Sequence, residues 1–301
     1  AFFTSRGIVM PEQNVKQAWL IPSSEALANP MGTAPGWFVR LGDRMIVTMP
    51  GVPREMFRMW REQAVPRILE RLDEHAIVSR TLKTIGIGES AVETEIIDIV
   101  QRGAPVIATY AKDDGVHIRI TALSSDRASA SREVDAAELE IRERLGGFVY
   151  GYLDDSLASA ILRPFDARDA HLTVHEFGNA GRVLNALFEA PEGPGVLRQC
   201  SIDSYESSFG TNVHLGKVAR NICGQFNLAH GNAMAVVMTR IEPGDITDRA
   251  RGTIAIGFRQ GSDTNVREHT VSAPSHEIRR RATMWALEFL WRCSVADAGS
   301  L

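Results

Sequence analysis

Residues 175–181 read His-Glu-Phe-Gly-Asn-Ala-Gly and follow a β-branched run, Leu172-Thr173-Val174. A helical pattern comes next. Such a strand–turn–helix corner is where α/β enzymes place a nucleophile or hold an anion on unpaired backbone N–H groups. The turn offers His175, Glu176, Phe177 and Asn179 but no Ser, Thr or Cys. Covalent amide chemistry needs a nucleophile, a base for its proton and donors for the oxyanion. Phe177 has nothing to deprotonate, and no catalytic residue is assigned at this corner.

The other constellations are weaker. The Gly/Pro loop Asn29-Pro30-Met31-Gly32-Thr33-Ala34-Pro35-Gly36 could present N–H groups to phosphate, with the Thr33 hydroxyl as an added donor. A tight Gly/Pro connection explains the same residues. Gly86-Ile87-Gly88-Glu89-Ser90-Ala91 has the G-x-G-x-x-A shape of a dinucleotide loop, but Glu89 would meet a pyrophosphate with like charge. It reads better as a helix start. His171 and His175 share one face of a strand roughly 13 Å apart, too far for one ion, so no metal site is expected. Cys200, Cys223 and Cys293 are scattered and read as reduced thiols.

The elements that would position these residues fall into three segments. In 1–76, two short strands flank the turn Gly42-Asp43, and Pro50-Gly51-Val52-Pro53 opens a helix that Val65-Pro66 should kink or interrupt. The segment 77–152 runs β-α-β-β-α-β, with a hairpin about Asp113-Asp114-Gly115 and a long amphipathic helix over 126–145. In 153–301, Asp154 or Asp155 is placed to cap a helix from Ser156. Strands LTVHE, CSID, MAVVMTR, GTIAIGF and REHTVSA then alternate with helices near 180–189, 213–227 and 275–292, which argues for an open sheet covered on both faces. The end, 294–301, is expected to fray.

Composition narrows the class. The 301 residues are 44% hydrophobic and 23% charged, with a formal net charge of −4. That balance argues against a nucleic-acid partner, and so does the acidic helix at 89–99. No apolar run is long enough for a membrane span. A cytoplasmic protein is expected. The chain opens AFFTSRGIVM without an initiator Met, so an upstream segment is expected.

Asn29-Pro30-Met31-Gly32-Thr33-Ala34-Pro35-Gly36, followed by Pro50-Gly51-Val52-Pro53-Arg54-Glu55-Met56, resembles the CinA family (competence/damage-inducible protein A). EQNVKQAWLIP, GIGES, YAKDDGVHIRITA and LGGFVYG extend the similarity, and it continues more weakly to the C-terminus. The resemblance implies an α/β, multi-domain chain. Its parts would be a partial molybdopterin-biosynthesis-like α/β unit (1–76), a small KH-like α+β module (77–152) and a C-terminal deamidase-like α/β/α sandwich (153–301). It also implies hydrolase chemistry in pyridine-nucleotide salvage: nicotinamide mononucleotide deamidation by the C-terminal part and ADP-ribose pyrophosphate cleavage by the N-terminal one.

Carried over residue by residue, the family pattern A-E-S-C/L-T-G-G falls on 175–181. Glu176 and Gly181 match, Phe177 takes the place of the attacking Ser, and Asn179 replaces the Thr. Of the family's Y-S-N-E-A-K, Tyr205 matches and Gly210 stands where the Lys belongs. The loop T-G-I-A-G-P becomes Thr239-Arg240-Ile241-Glu242-Pro243, and Arg279 matches an Arg of the last helix. The resemblance therefore implies a degenerate deamidase site whose ligand-pocket remnants are Glu176, Asn179, Gly181, Tyr205, Thr239 and Arg279. It implies a ligand-facing loop at Asn29, Gly32, Thr33, Gly36 and Gly51. A nicotinamide mononucleotide or ADP-ribose type ligand and a homodimer are expected. The cofactor is left open: the family's G-G-L-G-P-T stretch, with its phosphate- and metal-binding Asp residues, is not in these 301 residues, so a divalent metal is expected only with an upstream segment.

Overall fold

The computed structural model describes residues 16, 19–42, 44–70, 76–204, 213–244 and 249–296. Tyr205, Gly210, Asp43, the opening 1–15 and the end 297–301 lie outside the described residues. The chain divides into two compact units, Ala1–His75 and Ala76–Leu301.

In the first unit, β1 (Ser24–Leu27), β2 (Gly36–Leu41) and β3 (Arg44–Thr48) form an antiparallel meander. Gly42 makes the β2–β3 turn with φ 59°. Leu27, Phe38, Met59 and Ala64 form the core. Pro53 begins α1 (Pro53–Met59) at its first turn, as its fixed φ favours. The expected interruption at Val65-Pro66 takes the form of an offset. A π-helical stretch, Trp60–Ala64, carries the chain into α2 (Val65–Leu69), and Pro66 falls in the first turn of that new ladder, where its missing N–H is harmless.

The second unit holds two sheets. The first is antiparallel, built from β4 (Ala76–Thr84), β5 (Val106–Lys112), β6 (Gly115–Ser124) and β7 (Val149–Tyr152) in the order β5-β6-β4-β7. Apolar residues alternate along these strands. Leu82, Ile107, Ile118 and Ile120 pack under α3 (Glu89–Gln101) and α4 (Arg127–Leu145), leaving the other face open. Gly115 takes φ 126° to close the β5–β6 hairpin.

The second sheet has the order β12-β11-β10-β8-β9. Here β8 (Leu172–Phe177) lies parallel to β9 (Ser201–Asp203) and β10 (Ala233–Pro243), while β11 (Ala250–Gln260) and β12 (Asp263–Ala273) are antiparallel. Leu172, Val174, Ala235 and Val237 face α5 (Leu157–Asp166), α6 (Arg182–Phe188), the short α7 (Gly193–Val196) and α9 (Ser275–Ala296). Phe177, Met234 and Val236 face α8 (Leu215–Gln225). Both faces are thus covered. The α5 cap differs from the expectation. Ser156 caps it by accepting from the Ser159 N–H at 3.0 Å, whereas Asp155 turns back to accept from Tyr152 N at 2.7 Å.

A polar network lies where the two sheets meet. Lys83, 7% exposed, places Nζ 2.6 Å from Asp114 Oδ2 and donates to the Asp155 carbonyl at 2.8 Å. His117 Nε2 is 2.9 Å from Asp114 Oδ1, and the Tyr150 hydroxyl donates to Oδ2 at 3.1 Å. Burial pushes the Asp114 carboxyl up, but Lys83 and His117 outweigh it and hold the group below its ordinary value. Tyr150 also packs edge-on against Trp291.

Candidate ligand cleft at the ends of β8 and β10

The β8–α6 corner is already occupied by its own carboxylate. Glu176 is fully buried, and its two oxygens accept from the backbone N–H of Val183 at 3.2 Å and of Leu184 at 2.9 Å. These are first-turn donors of α6, so the helix start is not an open anion site: an acidic side chain satisfies it from below. Gly181 launches the helix at φ 73°, and the Ile202 Cδ1 lies 2.7 Å from where a Cβ would stand. Ala180, in a place the family pattern gives to Gly, takes the left-handed region at φ 58°, a strain of roughly 1 kcal/mol.

Phe177 does not fill the cleft beside it. Its ring is 8% exposed and belongs to the cluster of Leu215, Ala219, Cys223 and Met238 beneath α8. The position expected for an attacking hydroxyl is therefore part of the apolar core.

A cleft of about 560 Å³ opens at the strand ends, lined by Gly178, Ala180, Asp203, Ser204, Thr239, Arg240, Glu242 and Arg279, among others. No lysine is among the described residues that line it. Thr239 is 1% exposed and its Oγ1 has no partner; the buried Nε of Arg279 also has none. Arg240 donates from Nη1 to the Val213 carbonyl at 3.2 Å and keeps Nε 3.3 Å from Glu242 Oε1.

Asn179 sits between two cleft residues and is fully buried. Its Nδ2 donates to Thr283 Oγ1 at 3.1 Å, while that hydroxyl donates to the Arg279 carbonyl at 2.8 Å. The Thr283 proton is thus spent, so Thr283 can only accept from Asn179, and the amide orientation is fixed. This leaves Asn179 Oδ1 as a third buried atom without a partner. A buried, unmatched polar group costs about 1–3 kcal/mol, and these three lie in or beside one cleft.

The stretch that stands in place of the family's loop continues the expected strand MAVVMTR. Thr239 to Pro243 complete β10 and pair with β11, Thr239 opposite Ile254 and Pro243 opposite Ala250. Without the family's glycines, β-branched Thr239 and Ile241 favour pleated backbone, and the ladder takes up N–H groups that a loop would leave available. What the stretch offers the cleft is side chains.

Of the expected pocket remnants, Thr239 and Arg279 line the cleft, Asn179 lies next to it, and Glu176 and Gly181 build the helix start. Gly181 borders a neighbouring groove with Arg182, Phe188, Arg280 and Thr283. Thr283 was not legible as a site residue, because its link to Asn179 spans 104 positions. Nor was a second cluster on the α8 face. There, His175 Nδ1 lies 2.7 Å from Ser201 Oγ, which donates to Asp203 Oδ2 at 3.1 Å. Burial lowers the His175 imidazole from its ordinary value.

In the first unit, Asn29 ties the expected phosphate loop to itself. Its Oδ1 accepts from the N–H of Met31 at 3.0 Å and of Gly32 at 2.9 Å, and its Nδ2 donates to Glu55 Oε2 at 2.7 Å. Two loop donors are spent, and a carboxylate stands beside Gly32. Gly36 lies tight against the Thr48 carbonyl, and Gly51 faces open space. Thr33 is half-buried in the same turn. A shallow hollow of about 310 Å³ lies alongside, lined by Ala34, Pro35, Trp37, Thr48 and Met49. Among the described residues, no group of three His, Cys, Asp or Glu is placed to hold a metal ion, and no helix is long and apolar enough to cross a membrane.

The four-stranded sheet and its helices coincide with a family match: the damage-inducible protein CinA KH domain covers residues 79–151. A CinA-like protein from Thermomicrobium roseum is 45% identical over 291 residues, 96% of this chain and 71% of that protein. One from Deinococcus deserti is 46% identical over 191 residues, 63% of this chain and 46% of that protein. A putative competence-damage inducible protein from Alkaliphilus metalliredigens is 28% identical over 306 residues, 97% of this chain and 74% of that protein. The chain belongs to the CinA-like, competence/damage-inducible protein family.

Proposed function

We propose that this chain is a CinA-like protein of pyridine-nucleotide salvage in which the deamidase site is degenerate and a nucleotide-binding or regulatory role remains. The observation that carries this reading is the end of β8, where Phe177 stands in the nucleophile's place and is packed into the core. Loss of nucleophile and base together lowers an amide hydrolase by on the order of 10⁶ in rate. The cleft nevertheless keeps unmatched groups that suit an oxygen-rich ligand: the Arg279 Nε–H donates, and the Thr239 hydroxyl donates or accepts. Nicotinamide mononucleotide or an ADP-ribose type compound supplies such oxygens. The working protein is a homodimer of three-domain chains, divided at 76/77 and 152/153.

Two measurements on the chain test this. Incubation with nicotinamide mononucleotide releases neither ammonia nor nicotinic acid mononucleotide; turnover refutes the reading. A melting-temperature screen with nicotinamide mononucleotide, ADP-ribose and AMP gives a selective rise for one of the first two, worth about 2.7 kcal/mol at one hundred times Kd. The competing reading, an active hydrolase, rests on Ser204, which lines the cleft next to Asp203. Turnover that disappears in Ser204→Ala would establish it.

A further inference from the structure

We propose that the groove lined from α6 and α9 binds a small amphipathic anion, an apolar body carrying one carboxylate-like head group. It adjoins the polar cleft and differs from it in chemistry. Its volume is about 850 Å³, within the roughly 300–1,000 Å³ of small-molecule sites. Leu184, Phe188, Ile202 and Met284 are among its lining residues. Phe188 is 48% exposed and Ile202 57%. Two large apolar side chains facing water along one trough are an unfavourable exposure that an apolar ligand removes. Ile202 also lines the cleft, so it stands on the ridge between the two.

The pattern of α6 produces this surface. Val183 and Leu187 turn into the core, so Arg182, Asn185 and Phe188, at i, i+3 and i+6, share the outer side. That side carries a cation at one end and a ring at the other, about 9 Å apart in helix rise. Octanoate and decanoate are long enough to reach from one to the other.

Charge selects the head group. Arg280 also lines the groove, but it is matched: Nε and Nη2 donate to Glu277 at 2.8 Å and 3.0 Å. The lining carboxylate, Asp113, stands 3.9 Å from Arg280 Nη1. Arg182 has no carboxylate partner among the described residues. One unmatched guanidinium fits one anionic group, and the apolar walls fit the rest of the molecule. A nucleotide suits this groove poorly, because its sugar hydroxyls would lie unpaired against Phe188, Ile202 and Met284.

Isothermal titration calorimetry of the whole chain with hexanoate, octanoate and decanoate, below micelle-forming concentrations, tests this. Saturable one-to-one binding is expected, tightening up to about fourfold per added methylene. Decanol and decylammonium bind at least about tenfold more weakly than decanoate. Naphthoate supplies the same head group on a ring. Tighter binding of decanoate assigns the groove to acyl anions, and tighter binding of naphthoate to aryl anions. Arg182→Glu weakens decanoate at least about tenfold and leaves decanol unchanged. Arg182 is exposed, so the substitution leaves the core intact, and Arg182→Gln gives a smaller loss in the same direction. Phe188→Ala weakens decanoate and decanol alike, by about tenfold. Thr239→Val, in the cleft, and Arg127→Glu, the same charge reversal at the start of α4, leave decanoate binding unchanged. Absent saturable binding, decylammonium as tight as decanoate, no loss in Arg182→Glu, or an equal loss in Thr239→Val or Arg127→Glu each overturns the proposal.

Discussion

Two clusters of buried polar groups in the second unit behave differently. Around Asp114, the Lys83 ammonium, the His117 ring and the Tyr150 hydroxyl all find partners within 3.1 Å. Around the cleft, Asn179 Oδ1, Thr239 Oγ1 and Arg279 Nε find none. A matched network contributes to stability, whereas each unmatched group carries the full cost of its desolvation. The contrast separates polar groups matched within the fold from polar groups the fold leaves unmatched.

Lys83→Met should produce the largest effect, about 3 kcal/mol of lost stability in urea unfolding, because it leaves the partly buried Asp114 without its strongest partner. A loss below about 0.5 kcal/mol would place the network among surface ion pairs of little worth. Glu176→Ala should cost about 2 kcal/mol by leaving two α6 N–H groups unpaired. Hydrogen exchange then shows faster exchange at Val183 and Leu184 than in the parent. Thr239→Val runs the other way. It removes an unmatched hydroxyl, so stability is unchanged or rises by up to about 1 kcal/mol, while ligand binding in the melting screen weakens. A clear loss of stability in this variant would mean that the hydroxyl is matched in the free protein and would erase the contrast.

The smallest effect is on pH dependence. Burial, the leading cause, holds His175 and His269 below the ordinary imidazole value. The unfolded chain takes up protons on them near pH 6.5 while the folded chain resists. Their neutral-form contribution is therefore intact above that pH and declines as pH falls through it. His175→Asn should flatten the decline in urea midpoint between about pH 7.5 and about pH 5.5. Depressed carboxyls such as Glu277, held at about 2 by Arg280 and Arg281, lose their contribution only at lower pH.

The four-stranded module was legible almost residue by residue, since β4 to β7 alternate apolar and polar positions and the Asp-Asp-Gly turn marks the hairpin. By contrast, β1 was missed: Ser-Glu-Ala-Leu has no β-branched residue and owes its strand to pairing with β2. Thr239 and Arg279 were found through a family pattern, whereas Thr283 was not, since no local rule links positions 179 and 283. At 239–243 the strand runs three residues past the expected MAVVMTR, to Pro243.

Glu176 and Gly181 are the two residues of the β8–α6 corner that match the family pattern, and both serve the start of one short helix. Glu176 accepts from two first-turn N–H groups and Gly181 supplies the left-handed residue ahead of them, so changing either disturbs this turn whatever the corner binds. Matching residues at such a corner record ancestry and architecture, and say nothing of whether anything is turned over there.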